Sequence, residues 1–306
     1  MSGLEVQFYI FLFLGVNGMK IKLNTLVAAV VLAASSMSAN AIIDTNTATG
    51  NSEVFFSAWD FQAGIGYTYD LNWNLLLNDL VGADQFATAA GNTALLANAK
   101  VQSSLIGTNG IIFDDVLTGF ETANFTNFNN VQWNIAAFDV FGRNRLLITE
   151  GDTPSTPFAN TTTNVRNTAS TLAGYAAASG DFIPVPAEDT FAVTDATNGN
   201  AYAGFVGSGY GSISDTTNVL GQSTNLVFLA QHTQTASQYG QAPLIQELTA
   251  FDGREIVVKT YLQDGAWRLQ IAAVTVAAVP EPETYAMLLA GLGFVGAIAR
   301  RRNKAA

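Results

Sequence analysis

The sequence predicts a mainly β body, sandwich-like and antiparallel, with one or two helices packed on or beside it and a single transmembrane helix at the C-terminus. Three observations lead there. Short runs of aromatic and β-branched residues recur through the middle of the chain, separated by turns containing Gly, Asn and Asp. No internal repeat runs at a solenoid or propeller period. An uncharged apolar stretch stands close to the C-terminal end.

Residues 44–52 (DTNTATGNS) read as a polar, turn-rich lead-in. Residues 53–60 (EVFFSAWD) and 66–71 (GYTYDL) read as a hairpin joined through 61–65, with aromatic and β-branched arms and Gly at the connection. Residues 84–105 shift to Ala, Leu and Gln behind an Asp, which predicts a helix interrupted at Gly91-Asn92. A second strand pair is expected over 131–141 (VQWNIAAFDVF) and 146–149, about Gly142-Arg143-Asn144-Arg145. Residues 151–168 are a Thr/Asn/Pro stretch without periodicity, expected as a loop, and the Ala-rich 169–179 as a short helix. Residues 182–211 carry Pro184, Pro186 and a glycine-rich run from Gly204 to Gly211, expected as a flexible or strained loop. Residues 225–232 (NLVFLAQH) read as a buried strand. Arms at 254–262 and 266–276 about Gln263-Asp264-Gly265 form the clearest hairpin, because Gly accepts the positive φ such a turn needs.

Composition narrows the chemistry. Residues 42–279 hold 21 Asp and Glu against seven Lys and Arg, a net charge near −14, more acidic than the whole chain at −11. That charge repels phosphate and uronate, so nucleic acid and anionic polysaccharide are not expected as direct partners. Cysteine is absent, which excludes thiolate catalysis, Cys-ligated zinc and disulfide staples. His232 is the single histidine, so a His-rich metal site is excluded.

Candidate catalytic patterns are incomplete. Gly221-Gln-Ser223-Thr-Asn225 approaches a G-x-S-x-G elbow but lacks its second Gly, and His232 at the end of an apolar strand reads as an edge or core residue. Asp114-Asp115, Glu121, Glu150-Asp152 and Glu188-Asp189 would serve glycoside hydrolysis only if two faced one cleft about 5–10 Å apart. Asp44-x-Asn46 opens like a calcium loop, yet Gly50 falls at the wrong offset and Phe55 stands where a bidentate Glu belongs. Looser oxygen cages remain open around Asp114-Asp115 and across 181–189. The Gly204–Gly211 run has no Gly-Lys-Ser/Thr and is no phosphate loop. Trp59, Tyr67, Tyr69, Trp73, Trp133 and Trp267 read as core first, and as a sugar-stacking row only if several are exposed and coplanar. No catalytic residue, metal ligand or cofactor is assigned.

The two ends carry addresses. Met19-Lys-Ile-Lys22, the apolar 26–34 and Ala39-x-Ala41 have the order of a secretory signal peptide, with cleavage by signal peptidase after Ala41 and translation starting at Met19. At the other end Pro280-Glu281-Pro282 precede the apolar 284–299 and then Arg300-Arg301-Arg302. At about 1.5 Å per residue the apolar run reaches roughly 24 Å as a helix, and flanking arginines snorkel to make up the rest of a core about 30 Å thick. The arginines stay on the cytoplasmic side, so the body lies outside it. The prolines keep the strip ahead of the helix extended.

This order of Pro-Glu-Pro, apolar helix and Arg cluster resembles the PEP-CTERM sorting domain. The resemblance implies recognition of Pro280, Glu281 and Pro282 by an exosortase, a membrane-embedded cysteine transpeptidase or protease of Gram-negative bacteria that export polysaccharide. It also implies removal of the tail during export. The chain accordingly divides into a signal region at 1–41, an exported β-rich domain at 42–279 and a sorting tail at 280–306. The expectation is a non-enzymatic exported protein that passes through the inner membrane to the cell surface or extracellular matrix. There it would contribute to biofilm, with exopolysaccharide as a partner. The alternatives are a neutral-glycan-binding module and an extracellular hydrolase using a carboxylate pair.

Overall fold

A computed structural model of the chain describes residues 43, 51–71, 75–82, 95–97, 99–151, 161–182, 191–205, 216–232 and 240–275. In chain order the first strands are β1 (Phe55–Asp60), β2 (Ile65–Asp70), β3 (Lys100–Val101), β4 (Ile111–Val116), β5 (Gln132–Asp139) and β6 (Arg145–Thr149). They are followed by β7 (Phe191–Asp195), β8 (Asn218–Val219), β9 (Ser223–Ala230) and β10 (Leu244–Glu247). The last three are β11 (Thr249–Ala250), β12 (Glu255–Gln263) and β13 (Ala266–Val274). Among the described residues, α-helices run over α1 (Leu77–Val81) and α2 (Thr162–Gly180), with a further helical stretch at 95–97.

Turn chemistry fixes the hairpins. The Asp60 carboxylate accepts the N–H of Gln62 at 2.8 Å and of Ala63 at 3.2 Å, which closes the β1–β2 connection. Between β12 and β13, Asp264 and Gly265 take φ of +52° and +83° and join Gln263 to its partner Ala266. Two consecutive left-handed residues are what a type I′ turn requires.

The strands form one hydrogen-bonded path, β3-β11-β12-β9-β6-β5-β1-β2-β7, with β13 and β4 extending from β12. Among the described residues all strand pairs are antiparallel except β3 with β11, so the sheet is mixed rather than purely antiparallel as expected. It is mainly β with few helices. Successive residues of the central strands point into two different cores, as the two-residue period of a strand demands. Phe56, Ala58, Trp133, Ile135, Leu147 and Phe228 meet Ile256, Val258, Leu269 and Ile271 of β12 and β13. Phe55, Trp59, Ala136, Phe138, Leu146, Ile148 and Leu229 meet Val165, Ala169, Leu172 and Tyr175 of α2. The central strands are thus a middle layer, covered by the β12–β13–β4 end of the sheet on one face and by α2 on the other.

Several expectations change. The helix expected over 84–105 falls mostly outside the described residues, and its end is corrected. Residues 95–97 are helical, but Lys100–Val101 leave as β3 to pair with β11. Residues 162–168, expected as loop, already belong to α2: the Thr161 hydroxyl caps the Asn164 N–H at 3.3 Å, and Val165 and Thr168 are buried against the sheet. Burial and a cap override the weak helix propensity of Thr and Asn. Part of 182–211 is a strand, β7, at the edge of β2. The transmembrane helix at 284–299, the signal segment at 1–41 and the lead-in at 44–50 lie outside the described residues. Among the described residues no helix is long and apolar enough to cross a membrane.

Gly110 shows how tightly β4 meets β13. Its φ is +83°, and a Cβ there would stand 2.4 Å from the Ala273 carbonyl oxygen. Gly110→Ala must therefore strain its own backbone and push the β13 backbone away, which is expected to lower Tm by roughly 5–10 °C. Thermal melting checks this, with Gly253→Ala as reference: Gly253 also has positive φ (+86°), but nothing stands within 4 Å of its Cβ position.

Candidate functional site

Strand period decides the fate of the adjacent carboxylates. Asp114 and Asp115 are neighbours in β4 and so face opposite sides of the sheet. On the outer side Asp114 accepts the Tyr261 hydroxyl at 2.8 Å, Arg268 Nε at 3.0 Å and Gln270 Nε2 at 2.6 Å, and pairs with Arg268 Nη2 at 2.9 Å. These donors come from β12 and β13, where Tyr261 stands opposite Arg268, and Gln270 opposite Asp114. Lys259 Nζ lies 4.8 Å from the centre of the Tyr261 ring. On the other side Asp115 receives the Tyr69 hydroxyl at 3.4 Å. The pair does not share a cleft.

Burial raises the Asp114 pKa, but Tyr261, Gln270 and Arg268 together outweigh it and hold the carboxyl below its ordinary 3.8. A folded pKa below the unfolded one gives stability that is complete above 3.8 and is lost as pH falls through the folded value. Asp114→Asn is therefore expected to lower Tm at neutral pH, and this deficit should shrink as the pH falls well below 3.8. A deficit that stays constant with pH in melting curves would mean the network acts through shape rather than charge.

A second polar group lies beneath α2. Ser57 of β1 and Thr68 of β2 are opposite each other and both bond the Tyr175 hydroxyl, Ser57 at 3.0 Å. Burial raises the Tyr175 pKa to about 12, against the lowering effect of those two bonds. The phenol is therefore a neutral clamp between helix and sheet rather than an acid or base at ordinary pH.

The remaining candidate residues are scattered. Glu121 is exposed in the 3₁₀ turn Phe120–Ala123. Glu150 follows β6, with its carboxyl pKa raised by burial and by Glu247, while Asp152, Glu188 and Asp189 lie outside the described residues. Ser223 opens β9 and His232 follows its end, so at about 3.3 Å per residue roughly 30 Å separates them, too far for a base and its nucleophile. Trp59, Tyr67 and Trp133 are fully buried, Tyr69 nearly so, and Trp73 lies outside the described residues. Gly204 packs under the Tyr202 ring, and 206–211 lie outside the described residues. Asp181 follows the end of α2. Among the described residues no group of three or more His, Cys, Asp or Glu could hold a metal ion.

What the residue-by-residue reading missed is an aromatic group at one end of the sheet. Phe120 and Phe128 stack at 6.4 Å with an interplanar angle of 19°, and Phe128 meets Trp267 at 5.8 Å. Phe125 and Tyr67 support Phe120 at 5.1 and 5.0 Å. Phe128 is 45% exposed. Its loop is pinned from several sides. The Leu117 N–H donates to the Trp267 carbonyl at 2.9 Å, the Tyr67 hydroxyl to the Thr118 carbonyl at 2.6 Å, and Asn130 Nδ2 to Gln62 Oε1 at 3.1 Å. Its left-handed corners are Gly119 and Asn124, with φ of +72° and +55°. The only sequence sign is Phe at 120, 125 and 128 within a loop rich in Asn and Thr.

Beyond β13 the sorting residues Pro280, Glu281, Pro282 and Arg300–Arg302, like Ala39 and Ala41 at the front, lie outside the described residues. Residues 278–303 match the family model of the PEP-CTERM protein-sorting motif. No curated protein and no solved structure matches the chain. A motif that begins four residues after the last strand marks this chain as a PEP-CTERM domain-containing protein, exported toward the cell surface or extracellular space through recognition by an exosortase.

Proposed function

We propose that the body, residues 42–279, is a structural and adhesive component of the extracellular matrix, without enzymatic activity. On this reading a signal peptidase cuts after Ala41 and an exosortase cuts at Pro280-Glu281-Pro282, with residues 284–299 as a transient inner-membrane helix oriented by Arg300–Arg302. The observation that carries it is the sorting motif at 278–303, directly behind a strand that lies inside the sheet. Support comes also from the middle layer, whose faces are both committed to packing, leaving loops and outer faces for contact with other molecules.

Deleting the gene and restoring it tests the reading. Cells lacking the protein are expected to form weaker aggregates, and the processed protein is expected in the insoluble matrix fraction. Unchanged aggregate strength, with the protein wholly free in the medium, would overturn the matrix role. A second reading, a neutral-glycan-binding module, is favoured by one observation, the exposed stack at Phe128.

A further inference from the structure

The aromatic pole has three properties that together specify a ligand. The first is a fixed ring surface. Phe128 is nearly half exposed, lies almost parallel to buried Phe120 and abuts Trp267, while Leu262, the cross-strand partner of Trp267, is 60% exposed. Rings held this way present an apolar face at little further entropic cost.

The second is the chemistry of the rim. Residues 117–131 (LTGFETANFTNFNNV) contain one charged residue, Glu121, against four asparagines and three threonines, and Asn124, Asn127 and Asn129 are exposed.

 Amides and hydroxyls give and accept hydrogen bonds in pairs, as sugar hydroxyls do, and a rim without Lys or Arg offers nothing to a polyanion.

The third is position. Trp267 stands near the start of β13 and Val274 at its end, roughly 23 Å apart at about 3.3 Å per residue. The sorting motif begins at residue 278, so the ring surface lies at the opposite end of β13 from Val274, beyond which the chain continues to that motif.

We propose that this pole, built on Phe120, Phe128, Trp267 and Leu262 with Asn129 and Gln62 at its rim, binds a neutral polysaccharide. The sugar stacks its apolar face on Phe128 and hydrogen-bonds the amides. The proposal rests on the matrix reading above and names the partner that reading leaves open.

The test uses the processed protein recovered from its cell surface, in co-sedimentation with insoluble cellulose, mannan and, as the anionic comparison, covalently cross-linked alginate beads without calcium. Retention is expected on at least one neutral glycan and not on alginate. Phe128→Ala is expected to weaken that retention roughly tenfold, while Phe251→Ala, another exposed Phe (47%) but in the β11–β12 turn, leaves it unchanged. Circular dichroism of both variants separates lost binding from lost fold. Retention on neither neutral glycan, or equal loss in both folded variants, overturns the proposal. So does a dimer in sedimentation that Phe128→Ala dissociates, which would assign the pole to a second copy of the chain. A protein that stays in the matrix yet binds neither glycan would sink this inference and leave the matrix role standing.

Discussion

Replacing Pro280, Glu281 and Pro282 together by alanine is expected to abolish C-terminal processing, leaving a chain that still carries residues 283–306 in the membrane fraction. The physical reason is conformational as much as chemical. Each proline fixes its own φ and biases the residue before it toward extended backbone, so the wild-type strip is expected to stay out of the helix expected at 284–299. Alanine is the best helix former, and three of them would let that helix grow backward through the motif. A protease that binds an extended strip then meets a helix. Intact mass of the protein from membrane and surface fractions reads the result directly. Glu281→Gln separates the two contributions, because it removes the charge and keeps both prolines. A triple variant recovered at the wild-type processed mass would show that the enzyme does not read these residues.

Asp139→Ala is expected to cost about 3–5 kcal/mol of folding stability, the penalty for leaving one partner of a buried ion pair uncompensated. Arg145 and Asp139 meet at 2.8 Å with side chains 2% and 3% exposed. Arg145 also donates to the Gly82 carbonyl and to Asn78 Oδ1, both at 2.9 Å, so it ties the β5–β6 hairpin to α1. The other Asp139 oxygen accepts the Phe141 N–H at 2.7 Å and holds the turn. Removing the carboxylate therefore strands a charge and frees a turn at once. Domains are typically stable by only about 5–15 kcal/mol, so such a loss should be plain in urea titration. Asp139→Asn keeps an acceptor for Phe141 and should recover part of the loss. A cost below about 1 kcal/mol for Asp139→Ala would place the pair with exposed ones, which contribute little.

Local chemistry was legible and long-range assembly was not. The β1–β2 and β12–β13 hairpins could be read because Gly and Asp mark a turn wherever the chain goes next. β4 could not, because it pairs with β13 across more than 150 positions of sequence, and nothing in IIFDDV names that partner. β1 reads FFSAWD with every residue buried, so it lacks the alternation that would tell one face from the other. Helix α2 began earlier than its composition suggested because the sheet beneath it buries Val165 and Thr168.

By itself the sequence determined where the protein goes and which short segments turn, since sorting motifs and turns are read from consecutive residues. The tertiary structure decided which side of each strand is covered, that Asp114 and Asp115 part company, and that Phe128 rather than Trp59 or Trp133 reaches solvent. Exposure is a property of what packs against a residue, and those neighbours come from distant parts of the chain.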